Sequence, residues 1–211
     1  SVDYVDSVQA VGLIDYTDIR ANLSYNHRFS ARTNGVLVAT ARNYNADDYH
    51  QHTSGYGVSA GINRDLSETT SVQAFIGLED TEVADGDSEV NPVYDVSLTR
   101  RQETTNLLLQ YRRRISGSGQ GSLSKRDEVN LRFTRQLNDV LASGLGARAY
   151  QSESIGPANI ATDYVQLHAQ LLWQLSRAFS LTADYRYTVL QRSLDGEGAN
   201  SNRFTIWLSY Q

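Results

Sequence analysis

The sequence predicts an all-β protein: a single domain over residues 1–211, folded as a transmembrane antiparallel up-and-down β-barrel of about twelve strands, with ten as the smaller alternative. Three observations predict this fold. Apolar and polar residues alternate along many segments, short turns recur at a nearly constant spacing, and the segments between turns are long enough to cross a bilayer. The 211 residues include 13 Tyr and 15 Gly but only 2 Pro, and the mean hydropathy is -0.45. The chain is therefore polar overall yet rich in strand-forming aromatic residues.

The alternation is strict from Ile19 onward. Ile19, Ala21, Leu23 and Tyr25 fall on one face of an extended segment, and the residues between them are mostly polar. Helical spacing does not explain this pattern, which has the period of a strand with one apolar face. The same alternation returns in five further runs, at 72–78, 129–133, 165–173, 179–187 and 204–210.

Short turn-like segments divide these runs at intervals of 35 to 38 residues, which indicates a repeated two-strand unit. They begin at Arg28, Asp65, Arg101, Gln136 and Gln174. Longer segments rich in Gly, Asp, Asn and Ser alternate with them, at 45–53, 83–91, 116–122, 153–162 and 192–201. Short turns at one end and longer loops at the other are typical of a bacterial outer-membrane barrel, whose short turns face the periplasm.

Twelve strands follow in chain order. Their predicted limits are 3–13, 18–29, 33–45, 53–64, 69–82, 92–101, 104–116, 121–136, 139–152, 162–174, 178–191 and 200–210. Without the first strand the count becomes eleven, which breaks the even-number rule of bacterial single-chain barrels. The orientation of strand 33–45 is open, because Val36 and Val38 are apolar but so are Leu37 and Ala39.

The stretch between residues 100 and 120 shows why a membrane is the expected surrounding. Leucine and tyrosine alternate there with polar residues and run into three consecutive arginines. A barrel would place Leu109 and Tyr111 against lipid and Arg112 and Arg114 in a wet lumen. Arg113 would lie near the interface, where its head group reaches water. A soluble β-sandwich also alternates, but its strands are usually shorter, about 5–6 residues.

Two segments resemble a known family. They are Leu66-Ser67-Glu68-Thr69-Thr70-Ser71 and the run 114–123, which Arg126-Asp127 follows. Over about residues 18–210 the chain resembles the porin-like outer-membrane β-barrel proteins associated with exopolysaccharide and exosortase systems. The resemblance implies the fold, an outer-membrane location and an association with polysaccharide export, and it assigns no functional residues. By size the chain is also similar to the small oligosaccharide-specific porins of the oligogalacturonate type.

The charged residues predicted to face the lumen are mostly arginines. Eight arginines and four acids point inward on a chain whose net charge is -5. They are Arg20, Arg28, Arg112, Arg114, Arg132, Arg148, Arg186, Arg203, Glu79, Asp95, Glu128 and Asp184. This excess predicts selectivity for anions, because guanidinium groups in a pore attract carboxylates and phosphates. Tyr150, Tyr164 and Trp207 would add flat surfaces on which sugar rings can stack.

Two interpretations of this lumen stay open. The arginines could line a conducting path, or they could pair with the lumen acids and plug the barrel, since side chains can fill a small barrel. The expected function is a channel that passes anionic saccharides or assists exopolysaccharide export. The alternative is a non-conducting barrel that anchors or scaffolds a secretion or cell-surface complex. The expected partners are outer-membrane lipid, lipopolysaccharide, an anionic saccharide and other envelope or export proteins.

Other functional classes find less support in the sequence. A net charge of -5 and a pI near 5.3 argue against a nucleic-acid partner. His50 and His52 share a polar outer loop with two acids, but no defined second set of ligands accompanies them, so we expect no metal, no cofactor and no enzyme. His168 is expected to be a polar lumen group rather than a general base. The start at Ser1 without Met fits a mature chain after removal of a signal peptide, although a fragment would look the same.

Overall fold

The computed structural model describes residues 2–7, 16–46, 51–82, 88–117, 123–155, 161–192 and 198–210. Within these ranges the chain forms twelve strands, of which eleven are 13 to 16 residues long and the first has 6. They are β1 (Val2–Ser7), β2 (Tyr16–Ser30), β3 (Thr33–Ala46), β4 (Gln51–Asp65), β5 (Thr70–Glu82), β6 (Ser88–Arg101), β7 (Thr105–Gly117), β8 (Leu123–Asn138), β9 (Leu141–Ser154), β10 (Ala161–Gln174), β11 (Phe179–Arg192) and β12 (Gly198–Tyr210). None of the described residues form a helix long and apolar enough to cross a membrane.

The predicted all-β, up-and-down fold is confirmed. Each strand pairs antiparallel with the strand before it, so the order in the sheet is the order in the chain. Short turns join β2 to β3, β4 to β5, β6 to β7, β8 to β9 and β10 to β11, all at one end of the sheet. Within the described ranges the sheet ends at β1 and β12, and no ladder joins these two strands.

Most strand limits agree with the predicted ones to within two residues; the start of β6 and the end of β1 differ more. β6 begins at Ser88 and β12 at Gly198, so parts of the predicted loops 83–91 and 192–201 are strand. The ladder continues there through polar residues, for example where the Ser88 hydroxyl donates to Asp80 at 2.6 Å. Residues 3–7 of the predicted first strand belong to β1, and residues 8–13 lie outside the described part.

The register gives the sheet two unlike faces. Apolar side chains project from one of them and are widely exposed, as shown by Leu23 at 76%, Ile76 at 70% and Phe204 at 64%. We call this side the apolar face and the opposite side the polar face. A large exposed apolar surface is rare on soluble monomers and fits the hydrocarbon band of a bilayer.

The faces settle the orientation of β3. Leu37 is 54% exposed on the apolar face, whereas Val36 is only 9% exposed on the polar face. Val36 and Val38 pair in register with Asn26 and Ser24, which belong to the polar face of β2. The structure therefore assigns Val36, Val38, Thr40, Arg42 and Tyr44 to the polar face, a choice that the apolar pattern alone left open.

Few apolar side chains are fully buried in the described part of the chain. Tyr44, Ile115, Leu123 and Ile155 form one buried cluster. All four lie close to the longer connections, at the end of the sheet opposite the short turns. The barrel therefore has a small packed cap at its long-connection end instead of a central hydrophobic core.

Candidate solute path on the polar face

Cross-strand register brings most of the predicted lumen residues together on the polar face of β6 to β12. One row of neighbours consists of Asp95, Arg112, Glu128, Tyr150 and Tyr164. A second row consists of Gln110, Asn130, Arg148, Gln166 and Thr188. A third row consists of Arg132, Gly146, His168, Arg186 and Arg203. Adjacent rows lie two residues apart along each strand, so together they form a continuous band of polar groups.

Glu128 is the buried centre of this band. It is 2% exposed, and its two carboxylate oxygens accept hydrogen bonds from Arg112 and Arg148, each at 2.9 Å. One carboxylate therefore serves two guanidinium groups, which leaves one positive charge uncompensated. Charge-assisted hydrogen bonds of this kind are stronger than neutral ones and hold both arginines in place.

The other three predicted lumen acids do not form close ion pairs with the predicted arginines. The two carboxylate oxygens of Asp95 accept from the amide of Gln110 at 3.0 Å. Asp184 contacts the Nε2 atom of His168. Glu79 approaches Arg42 only at 4.0 Å. These carboxylates therefore leave most of the arginine charge in the band unneutralised.

An ion pair on β2 and β3 was not predicted. Arg42 donates to both oxygens of Asp18, at 2.9 and 2.6 Å, and its side chain is 1% exposed. Arg20 lies 3.8 Å from the same carboxylate. Arg42 was missed because the orientation of β3 was open, and Asp18 was missed because β2 was expected to begin there. Counting by twos from Val38 would have placed Arg42 on the polar face.

Five arginines on the polar face of β7 to β12 have no carboxylate within ion-pair distance among the described residues. They are Arg114, Arg126, Arg132, Arg186 and Arg203. Arg114 is the register partner of Arg126, and Arg186 is the register partner of Arg203. Like charges directly opposite one another destabilise a sheet. Such pairs make favourable positions for an anion.

Arg126 was not among the predicted lumen residues, although counting by twos from Glu128 would have found it. Its guanidinium carbon lies 4.4 Å from the centre of the Tyr150 ring. Tyr150 in turn stacks on Tyr164, with 4.6 Å between ring centres and 16° between the planes. The Nε atoms of Arg126 and Arg186 are buried without a hydrogen-bond partner. The band thus combines unused cationic donors with stacked aromatic rings.

The polar face contains a cavity of about 610 Å³ over β7 to β11. Its polar lining comes from the three rows and the next residues along the strands: Arg112, Glu128, Asn130, Arg132, Thr134, Arg148, Gln166, His168, Gln170 and Arg186. Gly144 and Gly146 form part of the floor, where the absence of side chains leaves room beside His168 and Gln170. We refer to this space as the arginine cavity.

Of the predicted lumen residues, five line the arginine cavity, namely Arg112, Glu128, Arg132, Arg148 and Arg186. The others do not, and three of these are Arg28, Arg20 and Trp207. Arg28 is exposed beside a short turn, where its Nε donates to the carbonyl of Ser30 at 3.2 Å. Arg20 lies on β2 near Asp18. Trp207 lies on the polar face of β12, opposite Thr182, and is 39% exposed. All three residues lie on the predicted face of their strands, but the fold does not bring them to the cavity.

Arg113 lies on the apolar face, as its expected interface position requires. It donates to both oxygens of Asp127, at 2.8 and 2.5 Å. The hydroxyl of Tyr94 also donates to Asp127 at 2.8 Å and lies 2.8 Å from the hydroxyl of Tyr111. Amphipathic rings at this level are typical of the aromatic girdles of membrane barrels.

The structure does not test the outer loop of His50 and His52 as a metal site. Asp47, Asp48, Tyr49 and His50 lie outside the described residues. The described side chains contain no group of three or more potential metal ligands. His168 faces the arginine cavity and contacts Asp184, as a polar lumen group would.

Solved outer-membrane proteins share this fold at low sequence identity. The outer membrane channel DcaP of Acinetobacter baumannii matches with a TM-score of 0.65 and 13% identity, over 93% of this chain and 62% of that chain. The siderophore receptor PirA from Pseudomonas aeruginosa matches with a TM-score of 0.59 and 14% identity, over 93% of this chain and 39% of that chain. The KdgM porin matches over 100% of this chain and 98% of that chain at 12% identity, but its TM-score of 0.36 carries no weight.

These similarities confirm the predicted outer-membrane β-barrel fold. The chain spans 62% of the length of DcaP and 39% of that of PirA, one of them a channel and the other a receptor. No protein-family model and no curated protein matches the sequence. The fold is therefore established, and the solute has to be inferred from the polar face.

Proposed function

We propose that this chain is an outer-membrane channel that passes anionic solutes, with anionic saccharides as the solute class. The observation that carries the proposal is the set of five arginines on the polar face of β7 to β12 without a carboxylate partner among the described residues. A guanidinium group stays charged at any physiological pH. These groups therefore attract anions wherever solute reaches the polar face.

The competing hypothesis of a plugged lumen requires the arginines to be neutralised by the lumen acids. Glu128 does this in part, since it binds Arg112 and Arg148. Asp95 and Asp184 are engaged by Gln110 and His168. Positive charge therefore exceeds negative charge around the arginine cavity, which favours a path for anions over a closed salt-bridge network.

Saccharides are the proposed solute class because the cavity combines three kinds of contact. Arg132 and Arg186 would bind carboxylates, and the amides of Gln166 and Gln170 would bind hydroxyl groups. The stacked Tyr150 and Tyr164 lie beside this space and offer flat rings to a sugar. In assisting exopolysaccharide export, a long polysaccharide chain would pass through the same lumen. This part of the proposal rests on the sequence resemblance.

One observation favours the non-conducting scaffold as a second candidate. Arg42 and Tyr44 are fully buried on the polar face near the long-connection end. Side chains therefore fill part of the interior at this level. A barrel blocked there would anchor or position other envelope proteins without passing solute.

The test is block of single-channel current in a planar bilayer by an acidic and a neutral oligosaccharide of equal length. We expect the acidic one to reduce the current at concentrations at which the neutral one has no effect. Replacing Arg112, Arg114 and Arg132 by Ser should remove this difference. Arg28→Ser is the matched control, because Arg28 lies at a short turn outside the cavity. Equal block by the two oligosaccharides would contradict the saccharide proposal, and a folded barrel without current would favour the scaffold.

A further inference from the structure

A second, smaller cavity lies on the polar face next to the arginine cavity. It has a volume of about 280 Å³ and adjoins β4 to β7. Its two flanks differ in character: Phe75 and Val93 on one side, Arg112 and Arg114 on the other. The rest of the lining is polar and comes from Ser59, Gln73, Tyr94, Asp95 and Arg113.

The apolar flank is formed by Phe75. This ring belongs to the polar face of β5, where most neighbouring side chains are polar or glycine. It lies directly over Gly61 of β4, so closely that a Cβ atom at Gly61 would be 2.2 Å from Cδ1 of the ring. Val36 is the register partner of Gly61 on the far side. The glycine thus lets the ring lie against the β4 backbone, and the ring turns a flat apolar surface to the cavity.

The cationic flank has unused hydrogen-bond donors. Arg114 is exposed and has no ion pair with any described residue. Arg112 donates to Glu128 through one terminal nitrogen, but its Nε is buried without a partner. Asp95 lies between the flanks, and both of its oxygens accept from Gln110. A carboxylate placed here would meet two guanidinium groups, one of them wholly unpaired.

We propose that this cavity is a subsite for planar aromatic carboxylates. The carboxylate would bind Arg114 and the exposed part of the Arg112 guanidinium group, and the aromatic ring would pack on Phe75 and Val93. A sugar acid of the same charge fits less well, because Phe75 and Val93 offer no hydrogen bonds to its hydroxyl groups. This subsite rests on the proposed function, since a solute reaches it only through a lumen open to anions.

The test is isothermal titration of the purified, detergent-solubilised chain with benzoate and, separately, with glucuronate. Wild-type protein should bind both. Phe75→Ser should weaken benzoate binding about tenfold through loss of the aromatic contact, and it should leave glucuronate binding unchanged. Phe75→Leu keeps an apolar surface and should retain part of the benzoate affinity. Leu108→Ser is the matched control, since Leu108 is an apolar residue on the polar face next to Arg132 and outside this cavity.

Two results would overturn the subsite: no benzoate binding by folded wild-type protein, or equal benzoate binding by wild type and Phe75→Ser. Folding of each variant is checked by its heat-dependent shift in gel mobility. Failure of the proposed function would have a separate signature, namely channels without preference for anions. Anion-selective channels that bind glucuronate but not benzoate would leave the proposed function standing and remove only the aromatic subsite.

Discussion

The two walls of the polar face use arginine in opposite ways. On β2 and β3, Arg42 is 1% exposed and binds Asp18 through two hydrogen bonds. On β7 to β12, five arginines have no carboxylate partner within the described residues, and Arg132 and Arg186 line a cavity. Register explains the difference. Asp18 lies diagonal to Arg42 across the strand pair, whereas Arg186 faces Arg203. The same residue type therefore stabilises one wall and leaves the other charged.

Breaking the buried pair should have the largest effect on stability. Arg42→Ser leaves the half-buried carboxylates of Asp18 and Glu79 without their main cation, and we expect a loss of about 3–5 kcal/mol in the free energy of unfolding. Denaturant unfolding in lipid vesicles measures this loss. The anion preference of any channel should stay as in wild type.

Arg28→Ser provides the matched control for this substitution. Arg28 is exposed beside a short turn, so its replacement should change the free energy of unfolding by less than about 0.5 kcal/mol. If Arg42→Ser proved as stable as Arg28→Ser, the structural role assigned to the β2 and β3 wall would be wrong.

Much of this comparison could be read from the sequence, because period two and turn spacing depend on local order. Alternation from Ile19 and the 35 to 38 residue interval gave strand limits close to those of the structure. Arg112, Glu128 and Arg148 were expected on one face for the same reason. Apolar residues on both faces of β3 concealed Arg42, since either Val36 or Leu37 could have pointed inward.

Pairing between side chains could not be predicted, because it depends on cross-strand register and on side-chain reach. Asp184 lies opposite Gln170 in register but contacts His168, two residues further back on β10. Phe75 was implied to face inward by the apolar series on either side of it, yet its position over Gly61 follows only from the β4 and β5 register. The contact between His168 and Asp184 and the position of Phe75 over Gly61 therefore become visible only in the three-dimensional structure.

Neutralising the Glu128 carboxylate, which Arg112 and Arg148 share, should increase the excess positive charge on the β7 to β12 wall. Glu128→Gln frees Arg112 and Arg148 from their anion, so the channel should become more selective for anions. Weaker hydrogen bonds to a neutral amide should lower the free energy of unfolding by about 1.5–3 kcal/mol. Reversal potentials and denaturant unfolding measure the two effects. A decrease in anion selectivity would show that Glu128 organises the arginines for solute and does not compete with it.

Removing one of two arginines that face each other without a carboxylate should have the smallest effect on stability. This effect should be stabilising, unlike the two before it. Arg186→Ser relieves repulsion with Arg203, so we expect the free energy of unfolding to rise by about 0.2–1 kcal/mol. Arg203→Ser should do the same, and the double variant should gain less than the sum of the two. Destabilisation by either single substitution would indicate that these arginines have structural partners.

The central claim is that unpaired arginines on the β7 to β12 wall give the lumen a preference for anions. The reversal potential of single channels under a KCl gradient tests it most directly, with wild type compared with a variant in which Arg114, Arg132 and Arg186 are Ser. The account predicts that the reversal potential of wild type lies toward the equilibrium potential of chloride. In the variant it should shift toward zero. A potassium-selective wild type, or the same potential in both proteins, would contradict it.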